Sequence, residues 1–171
     1  MVAFFEADVG SIDFELLRHG ATTLFRRLVL FNAAVDQLAA LGYLVHRIDA
    51  RARVPFVDGL TEALRFHDNF GYTPWDGNLD ALNDAFRYVS FDGHRGVAFA
   101  FHGLDALHQV EPRLAQCTLD ILESSARDHM LFGHRLLAVV QSDDPDLNLG
   151  SLGARAATWN RREWYAADRR D

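Results

Sequence analysis

The sequence predicts an α/β fold: a small three-stranded parallel sheet packed with helices, with additional strand and helix elements at the N- and C-termini. Segments of helical apolar periodicity alternate with short apolar runs, which is the pattern of strand-helix-strand units. Two of those runs, residues 96–101 and 136–140, carry apolar residues at successive positions, as strands covered on both faces do. The long helical segment between them supplies a parallel crossover.

Residues 11–19 read as a short helix, with Ser11 as candidate N-cap, Asp13 and Glu15 in the first turn and Gly20 after the end. Residues 22–26 are strand-like. From Leu30, the set Phe31, Ala34, Val35, Leu38 and Leu41 recurs at helical spacing, and Gly42 is placed to end that helix in a left-handed cap. Residues 43–48 follow as a strand. Asp58 is placed to cap a helix whose stripe is Leu60, Ala63, Leu64, His67 and Phe70, ending at Gly71; on that stripe His67 reads as a core histidine. Residues 71–77 are too rich in turn formers to be regular. Asn78 caps a further helix carrying Leu79, Leu82, Phe86 and Val89 on one face. Glu111-Pro112 opens the long helix, with Leu114, Cys117, Ile121, Leu122 and Ser125 as its inner stripe, and Gly133 stops it. Beyond Asp143 the pattern weakens, and residues 156–167, with Trp159, Trp164 and Tyr165, suit one or two extra strands. The organisation expected is one domain, in which residues 43–142 form the core, 1–42 an N-terminal extension of helix, strand and helix, and 143–171 a C-terminal addition.

A chain of 171 residues with 49% apolar content buries enough surface to need no covalent staple. Cys117 is the single cysteine, which excludes an internal disulfide and points to a reducing compartment. The first residues have no basic stretch and meet acids early, unlike a signal peptide, and no apolar run approaches the length of a membrane span. The chain is therefore expected in the cytoplasm. The net charge of −7 disfavours direct nucleic-acid binding and favours a basic partner, and the lack of a long apolar run speaks against a membrane. All 17 basic residues are Arg, and Asp outnumbers Glu 18 to 6, a bias that reads as codon preference.

The chemistry concentrates in residues 75–84, Trp75-Asp76-Gly77-Asn78-Leu79-Asp80-Ala81-Leu82-Asn83-Asp84. With Asn78 as cap, Asp80 and Asp84 are i and i+4 neighbours on the face away from Leu79, Leu82 and Phe86. Like charges at that spacing repel by a few tenths of a kcal/mol, and the helix dipole returns part of that at Asp80. Asp76 extends the acidity, Trp75 stands beside it, and Arg87 lies within reach of Asp84. An anionic helix face with an aromatic residue at its mouth suits a cationic cleft; on spacing alone it equally suits a solvated helix.

The run Asn78-Leu79-Asp80-Ala81-Leu82-Asn83-Asp84 resembles the Asn-Leu-Asp-Ala-Leu-x-Asp signature of the barstar family of intracellular ribonuclease inhibitors, and the order of elements matches over about residues 44–140. The resemblance implies a barstar-like fold and an inhibitor or immunity protein that plugs the active site of a basic ribonuclease, its carboxylates occupying the place of the RNA phosphate. It carries the two main acidic contacts to Asp80 and Asp84, with Asp84 the leading one. Asn78 and Asp76 flank them, and Trp75 and Tyr72 stand for the aromatics of the preceding loop. Asn83 replaces a Trp between the two acids, which removes an aromatic contact. The acidic contact on the family's long helix falls near Ser124, with Glu123 one residue away and about 100° round the helix.

Two other readings use the same residues. Asp80 and Asp84 could form the acid and base of a hydrolase, although exposure near a helix N-terminus favours binding over proton transfer. The fold could also serve as a protein-binding scaffold without a nuclease target, its terminal additions being candidates for self-association. Residues 144–150 alternate acids and an amide, but the glycine falls late and Arg155 stands where a calcium loop needs Glu. The eight His residues show no paired metal spacing, and no phosphate-loop or dinucleotide fingerprint occurs, so no metal or cofactor is expected.

Overall fold

The computed structural model describes residues 2–71 and 73–170. In chain order the elements are α1 (Ile12–Leu17), β1 (Thr22–Phe25), α2 (Leu28–Ala40), β2 (Tyr43–Asp49), α3 (Arg53–Ala63), α4 (Phe66–Phe70), α5 (Leu79–Arg87), β3 (Gly96–His102), α6 (Leu104–Val110), α7 (Pro112–Leu131), β4 (Leu136–Gln141), β5 (Ser151–Leu152), β6 (Arg155–Ala156) and β7 (Thr158–Trp159). The expected strands β2, β3 and β4 form a parallel unit, but the sheet extends to five strands in the order β2-β3-β4-β1-β7. β1 pairs in parallel with β4, and β7 with β1. The terminal segments thus lengthen the sheet on one side. β1 and β2 do belong to one parallel sheet, but β3 and β4 lie between them, so their helical connection spans two strands.

Register and alternation assign the two faces of the sheet. Ile48, Phe99, Phe101, Val140 and Leu24 share one face. There Phe56 of α3 packs on Phe101, with ring centroids 5.7 Å apart, and Phe86 of α5 packs edge-on to Phe99 at 5.2 Å. A Cβ on Gly59 would meet Ile48 at 2.9 Å, so glycine at this position lets α3 lie close against β2. The other face belongs to α2: its Phe31 meets Phe25 and His102, and its Asp36 pairs with Arg47 at 3.0 Å. With helices on both sides, β4 is buried along its whole length. One apolar cluster includes residues of all three segments, such as Leu38, Phe99 and Leu152.

Several local expectations are corrected. α3 begins at Arg53, ahead of Asp58, and ends where Arg65 adopts a left-handed φ of 51°; the separate short α4 then ends at Gly71, φ 75°. That break turns His67 out to solvent beside Asp68, so it is not a core histidine. The inner stripe of α7 runs through Leu114, Ala115, Thr118, Leu119, Leu122, Glu123 and Ala126, leaving Cys117 and Ile121 half-buried. α6 falls in a segment that the sequence left unassigned.

Beneath the N-terminal ends of the strands lies a buried ionic cluster. Asp13 of α1, fully buried, accepts from Arg135 at 2.7 Å, Arg95 at 2.9 Å and the Tyr43 hydroxyl at 2.9 Å. Asp8 accepts from the same two arginines, and Arg135 stacks over Phe4 at 4.1 Å. Burial alone would raise the Asp13 carboxyl, but the bonds from Arg95, Ser11 and Tyr43 and the Arg95 charge outweigh it and hold the group far below the usual carboxylate range. Its contribution to stability is therefore fully present above the ordinary value of 3.8 and declines as the pH falls below it. Asp13→Asn is expected to lower stability at neutral pH by about 3–5 kcal/mol, because two largely buried guanidinium groups are then left with Asp8 as their one carboxylate partner. Urea unfolding between about pH 2 and 7 should show a steep acid limb in the parent that flattens in the variant.

Candidate protein-binding face

The acidic face is built on a capped helix. The Asn78 side-chain oxygen accepts from the backbone N–H of Asp80 at 2.9 Å and of Ala81 at 3.3 Å, satisfying two donors that the first turn leaves open. Leu82, Ala85 and Phe86 anchor the helix in the core. With that side fixed, Asp80 and Asp84 stand exposed one turn apart, and neither forms an ion pair or side-chain hydrogen bond among the described residues. Arg87 is exposed and makes no ion pair with Asp84. Asp76 is also exposed and accepts the N–H of Asn78 at 2.9 Å, which shapes the turn into the helix. Asn83 is half-buried beside the acids.

Trp75 has a different place from the one expected. It is 1% exposed, packed beside Phe66 with centroids 6.1 Å apart, and not at the mouth of the face. Its backbone N–H donates to the Thr61 hydroxyl at 2.8 Å and its indole N–H to the Asn78 carbonyl at 2.8 Å. Both N–H donors of this residue are thus satisfied inside the protein, and the second bond ties the core to the N-cap of α5. Trp75 positions the acidic helix without being available as a surface contact.

Glu123 is likewise withdrawn from the surface. It is 4% exposed, both carboxyl oxygens lie 2.9 Å from the Ala21 N–H, and one accepts from the Thr22 hydroxyl at 3.1 Å. Its neighbour Ser124 is half-buried, on the outer side of α7, where Arg127 reaches its hydroxyl at 3.4 Å. Tyr72 lies outside the described residues. The residues brought together on the surface are therefore Asp76, Asn78, Asp80 and Asp84, with Asn83 alongside.

Sequence reading did not anticipate the support for this face. Thr61 couples α3 to the loop, and Arg53 at the start of α3 pairs with Glu111 and lies against Gly77, where a Cβ would stand 3.2 Å from the guanidinium. No local signal in the sequence marks either contact, because each joins segments distant along the chain.

The scaffold is a parallel α/β domain that presents a capped helix with two exposed carboxylates on its surface. The family model for barstar, described as barnase inhibitor, matches residues 45–141, more than half of the chain. The chain belongs to the barstar family. Comparison with curated proteins and with solved structures finds no match. The matched span runs from β2 through β4, so β1 and β7 of the sheet lie outside it. None of the helices among the described residues is long and apolar enough to cross a membrane.

If the helix is held as described, Asn78→Ala should cost about 1 kcal/mol of stability and Asn78→Asp much less. Trp75→Ala should cost about 3–5 kcal/mol through the cavity it leaves, before counting the orphaned Asn78 carbonyl. Urea titrations of the three variants beside the parent check both figures.

Proposed function

We propose that this protein binds and blocks the active site of a basic ribonuclease with the exposed face of α5, acting as an inhibitor or immunity protein in the cytoplasm. The observation that carries the reading is the pair Asp80 and Asp84: exposed, without an ion pair among the described residues and one turn apart on a capped helix, inside the span matched by the barstar family. A ribonuclease active site is cationic because it must bind the RNA phosphate, and carboxylates fixed on a helix can occupy the same sites. Preorganisation matters here, since a rigid helix gives up little freedom on docking. Asp76 and Asn83 widen the contact, and Asn78 serves mainly through its cap. Trp75 acts by positioning the helix.

In this reading residues 43–142 carry the inhibitory surface, while segments 1–42 and 143–171 brace the sheet from one side. The net charge of −7 raises the encounter rate with a basic protein, and salt screens that advantage over about 8–10 Å. The exposure of both aspartates supports binding over the acid and base roles of a hydrolase.

The test is capture from the source cell's extract and culture fluid, using parent protein beside the Asp80→Ala/Asp84→Ala double variant and assaying each fraction for RNA cleavage. The parent is expected to retain a small basic nuclease and suppress its activity, and the double variant to release both. Asp84→Ala alone should weaken the complex by about tenfold or more, with the loss of association rate steepest at low salt. Equal capture and inhibition by both proteins would remove α5 from the interface.

A further inference from the structure

On the α2 side of the sheet, the face opposite to α5, a groove of about 700 Å³ opens between α1, α2, β1 and the C-terminal segment. Its floor is largely apolar, lined by Phe25, Leu30 and Ala34. Of the polar side chains that line it, Thr23 is the most buried. Thr23 is 4% exposed, and its hydroxyl has no hydrogen-bond partner among the described residues. A hydroxyl so placed is a donor and acceptor offered to whatever fills the groove.

The rim is cationic and aromatic. Arg161 and Arg162, exposed in the 3-10 turn after β7, form no ion pair among the described residues, although carboxyl groups outnumber guanidinium groups in the chain. The rings of Trp164 and Tyr165 stand exposed beside them. The carboxyl facing the groove, Glu15, is engaged by Arg18 at 3.4 Å. The volume falls in the range of small-molecule sites, about 300–1,000 Å³.

From these features we propose that the groove binds a nucleoside monophosphate. The base stacks on the aromatic rim or floor, the phosphate pairs with the forked donors of Arg161 and Arg162, and the Thr23 hydroxyl takes one of the ligand's polar atoms. The site is separate from the acidic helix and independent of the ribonuclease reading.

The experiment is calorimetry on the full chain, with tryptophan fluorescence in parallel because Trp159 and Trp164 both line the groove. The probes are adenosine and uridine monophosphates, their nucleosides, and inorganic phosphate. At least one monophosphate is expected to saturate a single site and perturb the fluorescence, while its nucleoside and inorganic phosphate each bind about tenfold or more weakly. Arg161→Ala/Arg162→Ala should weaken the monophosphate by about tenfold or more. Thr23→Val, close in shape, should weaken it severalfold with the melting temperature kept, and Asp80→Ala/Asp84→Ala should change nothing. The proposal is overturned if neither monophosphate saturates below about millimolar concentration, if inorganic phosphate binds as tightly, or if the double arginine variant binds like the parent.

Discussion

Both ends of β1 are hydrogen-bonded to buried carboxyl groups, and the architecture of this protein depends on that restraint. At the start of the strand Glu123, from the middle of α7, receives the Ala21 N–H and the Thr22 hydroxyl. At its end Glu163, fully buried, receives the backbone N–H groups of Arg26 and Arg27 at 2.9 and 2.8 Å and the Arg27 guanidinium at 3.0 Å, with Asn160 as a further donor. Buried backbone donors outside a ladder need partners, and a carboxyl group with several acceptor sites serves two or three at once. A four-residue strand is held in this way between β4 and the two-residue β7.

The consequences reach both faces. Using Glu123 inward takes one acid away from the outer surface of α7, while Asp80 and Asp84 stay exposed on α5. Using Glu163 inward fixes the turn that displays Arg161 and Arg162 over the α2 side, so the same restraint shapes the groove. Asp80 and Asp84 thus stand on one side of the sheet, and Arg161 and Arg162, without an ion pair among the described residues, on the other. The C-terminal segment that links them crosses α7, where Asp120 accepts the Gly153 N–H at 2.6 Å and Arg127 donates to the Gly153 carbonyl at 2.6 Å.

What the sequence made legible follows the range of each interaction. The Asn78 cap, the positive φ of Gly42 at 91° and the apolar runs of β3 and β4 are local, and local spacing identified them. The placement of β1 beside β4 joins residues more than a hundred positions apart, and no periodicity reports it. Trp75 lies among Pro, Asp and Gly and so resembles a loop residue, yet its indole is drawn into the core because Thr61 and the Asn78 carbonyl satisfy its N–H donors there. Glu123 is the converse case: glutamate is seldom fully buried unless its acceptors are used, and here the donors come from a different element, which local spacing does not report. His67 fell on an extended helical stripe that Arg65 interrupts with a backbone conformation unusual for a side chain of its size.

The acidic face is therefore a product of the fold as much as of the motif, since Asp80 and Asp84 point outward only while Trp75, Asn78 and Phe86 hold their own positions. Amide hydrogen exchange, compared between the free chain and its complex with the basic ribonuclease we propose as its partner, tests this most directly. The account predicts slowed exchange through residues 78–88 and the loop before them, with β7 and the turn after it unchanged. Slowed exchange confined to residues 158–165, with α5 exchanging as in the free chain, would contradict it.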